Sequence, residues 1–145
     1  MAIKIYSRKD FDFWTTIHTN WGDMDGLRHI NHAAYLKYME TARLDLYGHI
    51  GHDMERWDDE TSSILASMEV NYIGQAAHPS IFEIGQRISR IGSKSYDIFT
   101  AIFKKGEETP LLQANFILVS FNYNTGKTIP VPDEFKKYLN SLKIT

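Results

Sequence analysis

The chain has 145 residues, a formal net charge of −2 and no cysteine. That length suits one domain with its own core. The missing thiols exclude disulfides, thiolate metal sites and cysteine nucleophiles, and the charge balance offers no basic field for nucleic acid. No segment approaches the ~18 consecutive apolar residues of a membrane span, and the N-terminal stretch lacks the apolar core of a signal peptide. The expectation is a single cytoplasmic domain over residues 1–145.

After a short arm, Phe11–Trp21 is rich in β-branched and aromatic residues and predicts a strand. A polar loop, GDMDGLRHI, follows. A helix is expected from Asn31, a preferred N-cap residue, to Gly48 or Gly51. Within it Tyr35, Tyr38, Met39, Ala42 and Leu46 recur at spacings of three and four and so share one face. The acidic stretch HDMERWDDETSS reads as a surface loop. The pattern then changes to period two, predicting strands over Ser63–Gly74, Ser80–Gly92, Ser95–Gly106 and Leu111–Tyr123. NTGKTIPVP turns the chain, and PDEFKKYLNSL is a short helix with Pro132 or Asp133 at its start. The order makes an α+β domain: a five-stranded antiparallel sheet wrapped around a long central helix, with a short C-terminal helix. Its open sheet edge is of the kind that a second copy commonly covers.

Chemistry concentrates in the loop ahead of the long helix. Asp23, Asp25, His29 and His32 would make a metal site only if they converged. The series lacks the alternating oxygen ligands of a calcium loop, and Arg28 among them opposes a cation, so no metal is expected. Catalysis suits the pattern better. The first N–H groups of a helix have no partner within it and form a ready site for a carbonyl oxygen that gains negative charge. A carboxylate a few residues upstream can activate water or attack that carbonyl.

GDMDGLRHINHAAYLKYMETAR resembles the signature of the hotdog-fold thioesterases, in particular the 4-hydroxybenzoyl-CoA thioesterase-like family. Asp23 and Asp25 match its two aspartates, His29–Asn31 its His-Val-Asn run, Tyr35 its tyrosine and Glu40–Arg43 its Glu-x-Ala-Arg. MEVNYIGQA, with Tyr72, resembles its second strand, ISRIGSKSYDI its middle hairpin, and NFILVSFNYNTGKTIPVPDEF its last strand and exit. The resemblance implies a hotdog domain that hydrolyses acyl-CoA or acyl carrier protein thioesters. It implies Asp25 as the catalytic base or nucleophile, and the backbone N–H near His32, positioned by Asn31, as the oxyanion site. Asp23, Arg28 and His29 would support the loop, while Tyr35, Tyr38, Met39 and Tyr72 would line the acyl pocket. No cofactor is implied beyond coenzyme A as part of the substrate. The family builds its sites in homodimers or homotetramers. Arg90, Lys94, Lys104 and Lys105, near the turns of the strands, are candidate contacts for the phosphates of coenzyme A.

Three departures stand out. Arg28 occupies a position where the family has glycine, His32 replaces the second asparagine, and QAAHPSI replaces a loop that more often carries Gly-Asp. Two rival readings follow: a hydratase or dehydratase pairing Asp25 with His29, and a non-catalytic acyl-binding or interaction module in which Arg28 blocks hydrolysis.

Overall fold

The computed structural model describes residues 2–52 and 60–142. In chain order the elements are β1 (Phe13–His18), α1 (Ala34–Ile50), β2 (Ser62–Tyr72), β3 (Ile81–Ile91), β4 (Ser95–Lys104), β5 (Leu112–Asn122), β6 (Lys127–Thr128) and α2 (Asp133–Leu142), with 3₁₀ turns at Arg8–Asp10 and Trp21–Asp23. The long strands lie within a residue or two of where period-two patterning places them. One expectation falls partly outside the described residues: the acidic loop includes residues 53–59.

The strands form one antiparallel sheet in the order β1-β3-β4-β5-β2. A sixth strand is present: the two-residue β6 turns back to pair with the end of β5. It is too short to show a period in sequence. The inner face of the sheet wraps α1. Tyr35, Tyr38, Met39, Ala42 and Leu46 are all buried, against Phe82, Ile84, Ile98, Ile102 and Leu112 from the strands. Each large apolar side chain so buried stabilises the fold by roughly 1.5–3 kcal/mol. A buried amide adds a directional link, since Gln86 Nε2 of β3 donates to the Ala42 carbonyl of α1 at 2.7 Å.

Helix α1 begins later than its capping residue predicts. Asn31 closes a turn ahead of the helix, its Oδ1 accepting the Ala33 N–H at 2.8 Å and its carbonyl accepting Ala34 N–H at 2.9 Å. The Asn side chain favours such local turns as readily as true caps, so the helix proper starts at Ala34. It ends at Gly51, in the left-handed conformation that a residue without Cβ takes most easily.

The N-terminal arm lies on the outer face of the sheet. Phe11 stacks on Phe99 with ring centroids 5.7 Å apart and meets Phe103 edge-on. Gly85 permits this approach, since a Cβ there would come within 2.9 Å of Phe11 and Trp14.

Candidate active site

The loop before α1 folds as a small hairpin. Met24 and Ile30 form an antiparallel bridge. Inside it Asp25 N–H donates to the His29 carbonyl at 2.9 Å, and Arg28 N–H donates to the Asp25 carbonyl at 3.2 Å. Three residues, Gly26, Leu27 and Arg28, make the connection. In hairpins of this length the last loop residue takes a left-handed conformation, where glycine is the default. Arg28 sits there with φ 68°, the only described non-glycine residue with positive φ. That accounts for the glycine expected at this position: it serves the hairpin backbone. The Arg28 side chain is exposed and does not line the cleft described below, so it does not obstruct it.

The hairpin aims the Asp25 carboxylate. Leu27 N–H donates to its Oδ1 at 2.9 Å, and Oδ2 has no hydrogen-bond partner among the described residues. Asp23 has a different job. It is almost fully buried (9%). Its Oδ1 accepts from Lys37 Nζ at 2.7 Å and its Oδ2 from the Tyr38 hydroxyl at 2.6 Å, while its carbonyl accepts Asn31 N–H at 2.8 Å. The bonds from Lys37 and then Tyr38 hold its carboxyl below the usual range. Burial, followed by the bond to Asp23, pushes the Tyr38 phenol up to about 12. Asp23 thus fastens the loop to α1.

At the approach to α1, the Ala33 and Ala34 N–H groups are both taken by Asn31. The His32 N–H has no acceptor among the described residues. The His32 carbonyl accepts the Tyr72 hydroxyl at 2.7 Å, which ties the end of β2 to the start of the helix. A second bond anchors the hairpin from the other side: Ile30 N–H donates to the Ala76 carbonyl at 2.8 Å.

These pieces enclose a cleft of about 330 Å³, lined by Asp25, Leu27, His29, Ile30, His32, Tyr35, Tyr72, Ile73, Gly74 and Gln75. The structure therefore gathers Asp25, His29, His32, Tyr35 and Tyr72 in one place. Burial raises the Tyr35 phenol above its usual range, the Ala76 backbone opposing the shift and Tyr72 and Asp25 adding to it. Its hydroxyl makes no hydrogen bond of good geometry among the described residues. Tyr38 and Met39 do not line the cleft, contrary to expectation. They share a helix face with Tyr35 but lie further along, where Tyr38 serves Asp23 and Met39 is sealed in the core. Leu27, Ile30 and Ile73–Gln75 are not among the pocket residues that motif and periodicity mark. Their position after Tyr72, at the exit of β2, was the available signal for the last three.

The four basic candidates do not act as one group. The register aligns Tyr72 with Leu112, Leu112 with Ile102, and Ile102 with Ile84. The cleft thus lies at the end of the sheet where β4 finishes with Lys104, and Lys105 follows. Arg90 and Lys94 belong to the opposite hairpin end, and Arg90 is engaged by Asp97 at 2.8 Å and Ser95 at 2.9 Å. A ten-residue strand separates the two pairs by roughly 30 Å.

Among the described residues, no group of three or more His, Cys, Asp or Glu residues is placed to hold a metal ion, and no helix is long and apolar enough to cross a membrane. The family model described as the thioesterase-like superfamily matches residues 19–139. No curated protein matches the chain in sequence. Solved structures with the same fold include a protein of Pseudomonas aeruginosa, 23% identical over 96% of this chain and 96% of that chain, with a TM-score of 0.87. A protein of Bacillus stearothermophilus described as a predicted thioesterase is 26% identical over 89% of this chain and 94% of its own, with a TM-score of 0.75. The DHNA-CoA thioesterase of Staphylococcus aureus is 22% identical over 90% and 87%, with a TM-score of 0.74.

Proposed function

The chain belongs to the thioesterase-like superfamily, and from that premise we propose that it hydrolyses acyl-CoA thioesters to the free acid and coenzyme A. The observation that carries the proposal is that one cleft is lined both by a carboxylate, Asp25, and by His32, whose N–H has no acceptor among the described residues. In the proposed reaction the thioester carbonyl lies against the His32 N–H. Asp25 takes a proton from water as the water oxygen bonds to the carbonyl carbon. The resulting oxyanion is stabilised by the His32 N–H, a kind of donor whose removal elsewhere costs roughly 2.7–4 kcal/mol. Collapse expels the thiolate, which recovers the proton from Asp25. Direct attack by the Asp25 carboxylate, through a mixed anhydride that water then opens, gives the same products. Labelled water in a single turnover identifies the second route where water opens the anhydride at the aspartyl carbon, because label then enters Asp25 and the acid leaves with an aspartyl oxygen.

His29 beside Asp25 in the same cleft is the one feature that favours a hydratase instead. A panel of acyl-CoA thioesters with thiol detection decides between them. Thiol release that disappears in Asp25→Asn supports the proposal. Hydration of an enoyl-CoA without thiol release replaces it.

The proposal extends to a homodimer. Strand β2 ends the sheet, with no strand paired to its outer edge among the described residues, and Leu65, Met68 and Tyr72 on it are 44–48% exposed. Such an edge invites a second copy. Tyr72–Gln75 at its end line the cleft, so a second copy paired there would sit next to the thioester site. The mass of the protein in solution tests this directly.

A further inference from the structure

Arg28 is the feature that the reading above leaves unused. It stands in a left-handed backbone conformation that glycine would take freely. It makes no side-chain hydrogen bond or ion pair with any described residue. Among the other basic groups near the hairpin and on this end of the sheet, Lys37 is bound to Asp23, and Arg8 to Glu83 and the Lys104 and Glu107 carbonyls, while Lys104 and Lys105 lie at the β4–β5 turn and not in the hairpin. A strained residue that contributes nothing to the fold points to a role outside it.

Its placement narrows that role. Leu27 and His29 on either side line the cleft, whereas Arg28 faces out from the same hairpin. An anionic substituent on an acyl group inside the cleft is therefore on the wrong side of it. A phosphate further along the substrate is on the right side. In a turn such as Asp25–Arg28 the end Cα atoms lie within about 7 Å, and an extended arginine side chain reaches about as far again. The pantetheine arm, comparable in length to four extended residues, spans roughly 14 Å between thioester and phosphate. With the thioester at Asp25, the two distances match.

We propose that Arg28 is a specificity-determining residue that binds the phosphate of the phosphopantetheine arm as the thioester enters the cleft. The planar guanidinium fork matches a phosphate with two parallel hydrogen bonds. The proposal rests on the thioesterase reading. The same phosphate is presented by coenzyme A and by a phosphopantetheinylated carrier protein.

Arg28→Gly is a clean variant, since the hairpin already has the backbone that glycine favours. The test compares one acyl group carried on coenzyme A, on a carrier protein, and on N-acetylcysteamine, which has no phosphate. In the wild type kcat/KM favours the phosphorylated carriers. In Arg28→Gly that preference falls about tenfold, mainly through KM, and Arg28→Lys restores part of it. The carrier showing the larger loss is the one Arg28 meets. A preference that is unchanged in Arg28→Gly overturns the proposal, and so does an equal loss on all three substrates. If the wild type cleaves no thioester, the thioesterase reading fails, and binding then decides the fate of Arg28. Calorimetric Kd values for coenzyme A and for pantetheine that differ in the wild type and converge in Arg28→Gly uphold the phosphate contact. Values that do not converge refute it.

Discussion

The Tyr72 hydroxyl donates to the His32 carbonyl at 2.7 Å while Asn31 Oδ1 accepts the Ala33 N–H at 2.8 Å. Both polar groups of the peptide between His32 and Ala33 are thereby occupied, one from the end of β2 and one from the preceding turn. A peptide fixed in this way holds the adjacent His32 N–H in place before any ligand arrives, which is what the proposed oxyanion site requires. Tyr72→Phe removes one hydrogen bond and keeps the ring. The expected result is a several-fold fall in kcat with little change in KM, and a loss of about 0.5–1.5 kcal/mol in stability. Steady-state kinetics and urea denaturation on the same preparation measure both, and unaltered kcat would remove Tyr72 from the mechanism.

Asp25→Asn keeps the hairpin, because the amide oxygen can still accept the Leu27 N–H that now binds Oδ1. The amide cannot take a proton from water. Activity on acyl-CoA should fall by roughly 10²–10⁴ fold. The melting midpoint should stay within about 3 °C of wild type, the shift expected from 1 kcal/mol or less in a chain of this size. Full activity in this variant would move the catalytic carboxylate elsewhere.

The fold was legible because its long elements carry strong periods. Tyr35 to Leu46 mark one helix face, and β3 to β5 are ten- or eleven-residue runs rich in β-branched and aromatic residues, alternating over part of their length. The start of α1 was misplaced because Asn31 can bond a turn N–H as well as a helix N–H, and sequence does not distinguish these. In the site, the Asp25 loop could be read from its motif, but which member of an apolar stripe faces a cleft could not. Tyr35 and Tyr38 are three residues apart on the same face, yet only Tyr35 lies at the helix end where β2 leaves the sheet. Arg90 and Lys104 both sit near strand turns, but successive turns of an antiparallel meander lie at opposite ends, so the element order alone already separates them.

Asp23 should make stability depend on acid. Its folded pKa is depressed by Lys37 and Tyr38, so its contribution is fully present above the unfolded value of about 4 and is lost as pH falls through the lower folded value. Asp23→Asn removes that linkage and weakens both bonds to the loop. Hydrogen bonds to a charged group of this kind contribute about 1.5–3 kcal/mol, discounted here because Lys37 is 70% exposed. The wild type should therefore be the more stable protein at pH 7, with the gap shrinking steadily below pH ~4. Denaturation midpoints measured from pH 7 to pH 3 test this, and a gap that does not vary with pH would show that Asp23 is not the titrating anchor.

Arg28 allows the backbone effect to be separated from the side chain. A left-handed conformation costs a residue with a Cβ roughly 1–2 kcal/mol, whereas glycine pays instead about 0.5–1 kcal/mol of extra chain entropy on folding. The difference favours Arg28→Gly by about 0.5 kcal/mol. Arg28→Ala removes the same guanidinium but retains a Cβ at φ 68°, so it should gain nothing. Urea denaturation should rank glycine above both arginine and alanine, which should be nearly equal. If alanine instead matches glycine, the gain comes from removing the charge, and the hairpin explanation for the family's glycine is wrong. If arginine exceeds both, the guanidinium contributes to the fold after all, and the premise that Arg28 is held for a ligand fails with it.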